Sequence, residues 1–234
     1  MPITLRMLPF VSAICLFASV AAANDSVDFR ATAEIRSELV QRGLAYADGD
    51  AVGLVAASVD WRSGLFAGAD VFSSISDSSR TLRDGWTAYA GWFRPLGDNS
   101  ALAFSVRRYG FGGTFGGHWD FDEFRADWHI SRNVTLSLNR SEDYYGRRYA
   151  VWVPELGLAY DLNERVSVSG ETGMAFADGE ALIDEYWYAR AGLSIALQRF
   201  HVAFDVVHGS DEFEFLGLSD PAGTRAVISL GISY

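Results

Sequence analysis

Charged side chains recur along the sequence at every second position of segments whose intervening residues are mainly apolar. If each segment is extended, successive side chains point to opposite faces, so the charges share one face and the apolar residues the other. Charges on an enclosed face either set up a field that orients polar solutes or pair with each other and fill the space. The candidate interior residues are Arg36, Glu38, Arg107, Arg125, Asp127, Glu155, Glu171, Arg190, Asp205 and Arg225.

These candidates fall into groups by their level along the segments. Four are expected at similar depth on consecutive strands: Glu155, Glu171, Arg190 and Asp205. Arg107 and Arg125 are expected together on two neighbouring strands. The grouping predicts a basic wall that faces a mainly acidic one, and the alternative is ion pairing across strands. The stagger between strands decides between them, and the sequence does not fix it.

The segments that must position these charges number about twelve, an even count that leaves both termini on one side, as in bacterial membrane-spanning barrels. Short turns alternate with longer loops rich in Gly, Asp and Ser. We predict an all-β fold, a closed antiparallel up-and-down transmembrane β-barrel. The predicted strands are 32–42, 52–61, 65–74, 86–94, 101–109, a sixth through 124–130, 134–140, 149–160, 166–176, 186–197, 200–208 and 224–234.

Aromatic residues support a membrane barrel over a soluble sandwich. Six of the seven Trp residues have outward parity near strand ends, as in an aromatic girdle: Trp61, Trp86, Trp92, Trp128, Trp152 and Trp187. The last strand ends on Tyr234, whose ring is expected at the membrane interface. Pro154 cannot donate a hydrogen bond to the sheet, so it predicts a bulge or local irregularity in its strand.

The amino terminus predicts export. Residues 1–23 join Arg6, an apolar run and Ala21-Ala22-Ala23, which is typical of a cleaved secretory signal and leaves residues 24–234 as the barrel. The single cysteine, Cys15, lies within this signal, so no disulfide is expected in the mature chain. A formal net charge of −11 disfavours nucleic-acid binding. We expect an integral outer-membrane protein with periplasmic termini.

Four segments give the chain a family resemblance: Arg42-Gly43, 60–68, 143–146 and 186–193. In these segments the chain resembles the TorF family of porins, which are short Gram-negative outer-membrane proteins, and the likeness extends over nearly the whole mature chain. The resemblance implies a small porin-like barrel for passive diffusion of small polar solutes or ions. It supplies no binding residues.

Two other functions remain open. His208-Gly209-Ser210 has the His-x-Ser spacing of outer-membrane phospholipase A, also a twelve-stranded barrel, and this spacing raises the alternative of a lipid hydrolase that uses His208 and Ser210. That family continues with Asn-Gly, whereas this chain continues with Asp211-Glu212, and no residue is evident to orient the His. We therefore expect no enzyme activity. A plugged structural or adhesive barrel acting through its surface loops is the other alternative.

Metal and partner expectations follow from the remaining polar residues. No metal or cofactor is expected, because three of the histidines lie far apart in the chain: His118, His129 and His201. The acidic stretches 120–123 and 211–214 either bind divalent cations that bridge surface lipopolysaccharide or are solvated loops. Expected partners are outer-membrane lipids and lipopolysaccharide, the barrel-assembly machinery during insertion, and small solutes.

Overall fold

Fourteen β-strands and one short 3-10 helix make up the regular structure of the described residues. The computed structural model describes residues 27–46, 49–75, 84–112, 119–178, 185–210 and 223–234, so the predicted signal at residues 1–23 lies outside the described residues. The strands are β1 (Val27–Arg36), β2 (Val40–Gln41), β3 (Leu44–Ala45), β4 (Val52–Trp61), β5 (Leu65–Ser74), β6 (Asp84–Pro95), β7 (Ala101–Gly112), β8 (Phe121–His129), β9 (Val134–Ser141), β10 (Val151–Asp161), β11 (Val166–Ala177), β12 (Tyr186–Leu197), β13 (Phe200–Gly209) and β14 (Gly223–Ser233). The 3-10 helix η1 spans Tyr144–Gly146.

Twelve of these strands form one closed antiparallel barrel, and β2 and β3 form a separate two-stranded hairpin. Each barrel strand pairs with its neighbours in sequence, and β14 pairs with β1 to close the ring. The first described residue, Val27, and the last, Tyr234, lie at the same end as the short connections; this end is called the turn end here, and the opposite end of the strands is called the loop end. The predicted transmembrane barrel of about twelve strands is confirmed.

The stagger of the strands, which the sequence left open, follows from the pairing registers. Tracing paired residues once around the barrel returns to β1 about 16 residues from the start. The strands are therefore strongly tilted, at about the 45° upper end of the usual range. Because of this tilt, paired residues on neighbouring strands lie at different heights along the barrel axis. The height of each residue is therefore obtained by adding the stagger accumulated from strand to strand.

The outer surface is apolar. On β14, Ile228 and Leu230 are 55% and 54% exposed, whereas the alternating residues Val227 and Ser229 are each 5% exposed. Five of the predicted girdle residues are exposed: Trp61, Trp86, Trp92, Trp128 and Trp187. Trp152 is half-buried beneath the guanidinium of Arg140. A continuous apolar exterior with indoles near both ends matches the hydrocarbon and interface zones of a bilayer.

The predicted first strand was placed too late in the chain. The structure ends β1 at Arg36, so Glu38, Val40 and Arg42 lie outside the barrel wall, and Val40 belongs to the hairpin strand β2. Polar and apolar residues alternate through both segments, and alternation alone cannot separate a wall strand from a short inner hairpin. The acidic stretch 120–123 is also not a loop throughout, since β8 begins at Phe121.

Pro154 interrupts its ladder without the bulge that the sequence allowed. The register between β10 and β11 is the same on both sides of the proline, from Trp152↔Phe176 to Glu155↔Gly173, while Val153 and Pro154 have no pairing partner there. The carbonyl of Val153 accepts a hydrogen bond from Asn139 Nδ2 at 2.8 Å instead. A side-chain amide therefore satisfies a backbone group that the interrupted ladder leaves unpaired.

No helix among the described residues is long and apolar enough to cross a membrane.

Candidate functional site in the barrel interior

Charged side chains from eight strands lie at nearly one level inside the barrel. After correction for the stagger, their Cα atoms fall within about two residues of a common height. We call this set the charged belt, and its members are Glu34, Arg36, Asp70, Arg107, Arg125, Glu155, Glu171, Arg190 and Asp205. Seven of the ten candidate interior residues are in this set, and an eighth, Asp127, lies one inward position below it. Asp127 makes a 2.8 Å ion pair with Arg125 of the belt.

Most of the belt is held by ion pairs. Arg125 Nη1 contacts Glu155 at 2.6 Å across the intervening strand β9 and also donates to Asn139 Oδ1 at 3.2 Å, while its Nη2 donates to the hydroxyl of Ser137 at 2.8 Å. On the other side of the ring, Arg190 contacts Asp205 at 2.9 Å. These cross-strand pairs join the proposed basic and acidic walls, because the guanidinium forks lie within reach of neighbouring carboxylates. Charge is thus largely paired along the belt.

The two remaining predicted interior residues, Glu38 and Arg225, lie above the belt toward the loop end. Arg225 projects from β14 and contacts Glu38 at 2.6 Å, although Glu38 lies beyond the end of β1. Glu38 Oε1 also accepts a hydrogen bond from the backbone N–H of Gly49 at 2.9 Å. This carboxylate therefore fixes both ends of the first long connection to the wall.

That first connection contains the β2–β3 hairpin, which lies inside the barrel. Val40 pairs with Ala45 and Gln41 with Leu44, which leaves Arg42 and Gly43 as a two-residue turn. Both turn residues have positive φ, 51° and 77°, as a type I′ hairpin turn requires. A Cβ at Gly43 would approach Tyr188 Cβ to 2.9 Å, so the glycine also lets the turn lie close to β12.

Arg42 at this turn reaches the opposite wall of the barrel. Its Nη atoms donate to both oxygens of Glu123 at 2.6 and 3.0 Å, and its Nε donates to Glu155 at 3.0 Å. Those carboxylates project from β8 and β10, which flank β9, the strand six steps from β1 in either direction around the ring. Burial alone would lower the pKa of Arg42, but the carboxylates of Glu123 and Glu155 outweigh that effect and hold the pKa well above its ordinary value.

Aromatic side chains fill the space around the hairpin. The hydroxyls of Tyr46 and Tyr145 are hydrogen-bonded, as are those of Tyr144 and Tyr186, and all four side chains are buried. Burial raises the pKa of Tyr46, Tyr144 and Tyr145, so these phenols stay neutral. We call the hairpin together with these tyrosines the inner plug. The described residues therefore occlude the interior near the loop end.

An open cavity lies below the inner plug, at the level of the charged belt. Its volume is about 430 Å³, and its lining includes Arg36, Asp70, Arg107, Arg125, Glu171 and Arg190. A second cavity of about 210 Å³ continues toward the turn end and shares Glu171 and Arg190 with the first. Small side chains such as Ala159 and Ser169 line this second cavity, and both are exposed. The interior is thus accessible from the turn end.

Sequence reasoning missed the residues that occlude the interior. Arg42 and Glu123 were assigned to a strand end and an acidic loop, and Asp70 was not considered. An arginine rarely adopts a positive φ, so Arg42 gives little indication of a turn. The Gly that follows it, between two short β-type stretches, does fit the two-residue turn of a tight hairpin. The contact of Arg42 with Glu123 joins residues 81 positions apart, and no local pattern reveals such a pair.

The candidate hydrolase residues, His208 and Ser210, lie at the loop end of β13, and no hydrogen bond joins their side chains. His208 Nδ1 bonds the hydroxyl of Thr224 at 3.0 Å, and Ser210 Oγ accepts the backbone N–H of Trp187 at 3.3 Å. A nucleophile–base pair needs a direct hydrogen bond and a third group that orients the base.

In the described part of the chain, no group of three or more His, Cys, Asp or Glu side chains could hold a metal ion. His118 and the stretch 211–214 lie outside the described residues.

Comparison with known proteins identifies the fold. Neither a protein-family model nor a curated protein matches the sequence. Among solved structures, a NanC porin matches with a TM-score of 0.59 at 10% identity, covering 88% of this chain and 99% of that one. A KdgM porin matches with a TM-score of 0.53 at 9% identity, covering 88% and 98%. A KdgM porin in complex with disordered oligogalacturonate matches with a TM-score of 0.50 at 10% identity, covering 88% and 97%. This chain thus has the closed β-barrel fold of porins.

Proposed function

We propose that the protein is an outer-membrane channel for passive diffusion of small polar solutes or ions. The observation that carries the proposal is a charged cavity of about 430 Å³ enclosed by a barrel whose exterior is apolar. Lipid outside and water inside are the two solvents that this distribution of side chains suits. A lumen of twelve strands is wider than the eight-stranded kind that side chains fill and narrower than a sixteen-stranded porin.

Two likenesses support the same function. The NanC and KdgM structures are porins by name, and their barrels resemble this one in fold. The TorF resemblance of segments such as Arg42-Gly43 and 143–146 points to a small porin as well. Oligogalacturonate belongs to the KdgM complex, and the different interior of this chain gives no reason to assign that solute here.

Location and assembly partners form part of the proposal. The termini and short turns would face the periplasm, and the long connections would face the outer leaflet and its lipopolysaccharide. The barrel-assembly machinery would insert the chain, and the terminal aromatic that follows the closing strand β14 would be the signal that it reads. We propose no catalytic role for His208 or Ser210, because their hydrogen bonds lead away from each other.

The test is reconstitution of the heat-modifiable, folded barrel in planar bilayers and in liposomes. We expect small single-channel currents, and swelling of liposomes in glycine or a small sugar. A folded barrel that gives neither currents nor swelling would overturn the channel function. Release of fatty acid from phospholipid by the purified protein with calcium, lost in His208→Ala, would restore the hydrolase alternative.

One observation favours a second candidate, a structural barrel with a closed interior. The inner plug crosses the full width of the lumen and is held by Arg42 through three charge-assisted hydrogen bonds. A permanently closed barrel would act through its outer connections. The two candidates differ in one measurement, because only the channel predicts current from the unaltered protein.

A further inference from the structure

Three charged residues of the belt face the main cavity without an ion-pair partner among the described residues: Arg107, Glu171 and Asp70, of which Asp70 accepts a hydrogen bond from Thr87. Four other arginines around the cavity each approach a carboxylate at 2.6–2.9 Å: Arg36, Arg42, Arg125 and Arg190. Arg107 and Glu171 also line the cavity, and neither makes an ion pair within the described residues. Their charges are therefore available to a solute.

Arg107 is held in place by uncharged neighbours. Its guanidinium lies over the ring of Tyr89 at 5.7 Å and near the phenol of Tyr109. Its Nε is buried and has no hydrogen-bond partner. A buried guanidinium N–H without an acceptor is costly unless water or a ligand accepts it, and a full positive charge raises that cost. Among the described residues, no carboxylate lies within ion-pair distance of Arg107, although Asp70 is close enough to interact with its charge.

Glu171 is the matching group on another part of the wall. It lies opposite Arg190 in the β11–β12 register, but Arg190 Nε donates to Asp205 at 2.9 Å. No hydrogen bond to the Glu171 carboxylate is found within the described residues, and its side chain borders both cavities. The Glu171 carboxylate therefore lies where the two cavities meet, is accessible from the turn end, and has no cation within ion-pair distance among the described residues.

These two groups lie at one level, on β7 and β11, four steps apart in the ring of twelve strands. The cavity between them is about 430 Å³, which exceeds the share of several water molecules and accommodates a solute of a few heavy atoms. Asp70, on the strand opposite β11, accepts a hydrogen bond from Thr87 and so offers fewer free acceptor positions than Glu171.

We propose that this cavity binds small zwitterions of the amino-acid type, with the anionic group on Arg107 and the cationic group on Glu171. The proposal rests on the channel function and names the class of solute that would bind in this cavity during permeation. A zwitterion satisfies both groups at once, whereas a simple anion or cation leaves one of them unpaired. Neutral sugars would gain from neither charge.

The experiment uses glycine as the probe, with acetate and methylammonium as single-charge comparisons. Binding is measured on the folded barrel in detergent by calorimetry, and block of ion current is measured in planar bilayers. We expect glycine to bind more tightly than either comparison, and Arg107→Gln and Glu171→Gln each to weaken it by about tenfold or more. Acetate binding should fall only in Arg107→Gln, and methylammonium binding only in Glu171→Gln.

Arg108→Gln is the matched control, because Arg108 is the next residue on β7 but is exposed and paired with Asp122 at 2.8 Å. It should bind glycine as the unaltered protein does. Equal glycine affinity in all variants, or acetate binding as tight as glycine, would overturn the zwitterion site. A conducting barrel that binds no glycine would overturn the site and keep the channel. A silent barrel that binds glycine through Arg107 and Glu171 would keep the site and overturn the channel.

Discussion

The two halves of the barrel interior are built on opposite plans. Toward the loop end, the inner plug fills the lumen with aromatic rings, and Arg42 is paired with Glu123 and Glu155. Toward the turn end, small residues such as Ala159 and Ser169 leave a cavity that is exposed. The charged belt lies between the halves. If the proposed channel conducts, we expect the loop-end half to restrict passage and the belt to discriminate among the solutes that enter.

The largest effect is expected from releasing the inner plug. Arg42→Ala alone would leave the buried carboxylate of Glu123 without its cation, which costs about 3–5 kcal/mol and risks misfolding, whereas Glu155 would keep Arg125. The double variant Arg42→Gln with Glu123→Gln removes one buried pair together and lets the hairpin leave the wall. We expect a several-fold rise in single-channel conductance, with heat-modifiable mobility retained.

Arg108→Gln serves as the control for that variant, because it removes an exposed arginine and leaves the plug intact. An unchanged conductance in Arg42→Gln/Glu123→Gln, with the barrel folded, would show that the loop-end half does not limit passage. The difference between the two halves would then have no effect on permeation.

A second, smaller effect concerns ion preference at the belt. The double variant Arg107→Gln/Arg125→Gln removes two cations from the cavity lining, so the fixed charge of the lumen becomes more negative. The reversal potential in a salt gradient should shift toward cation preference by a measurable amount. A shift toward anions, or none, would mean that the belt does not face the conduction path.

A third prediction tests whether the turn-end half is open. Ser169→Trp would place an indole in the second cavity, and we expect a modest loss of conductance with little change in stability. Val168→Trp is the matched control, because the neighbouring side chain points to the lipid face, where an indole is well tolerated. Equal conductance in both variants would indicate that the turn end never limits passage.

Substitution of Tyr234 is expected to have the smallest effect on permeation. Its effect on assembly should nevertheless be measurable. Its backbone exchanges hydrogen bonds with Ala31 at 2.9 and 3.0 Å where the barrel closes, and its ring is 62% exposed. Tyr234→Asp keeps the backbone and places a charge at the outer surface near the membrane interface. We expect lower outer-membrane levels with unchanged conductance of the folded fraction; normal levels would contradict this role.

Much of the wall could be predicted from the residues. On β14, Ile228 and Leu230 alternate with Ser229 and Gly231, and this period fixes which face meets lipid before any pairing is known. The Trp residues mark strand ends because indole side chains prefer the membrane interface. The first strand was placed too late because alternation continues past Arg36 into the hairpin.

The sequence by itself determined the strands, their two faces and the aromatic ends, because a period of two and the preference of indoles for interfaces are properties of neighbouring residues. Only the tertiary structure decided which charges meet. The pairs of Arg42 with Glu155 and Arg225 with Glu38 join residues 113 and 187 positions apart. Such contacts depend on the stagger accumulated around the whole barrel and on a loop that folds inward, and neither is specified by a local pattern.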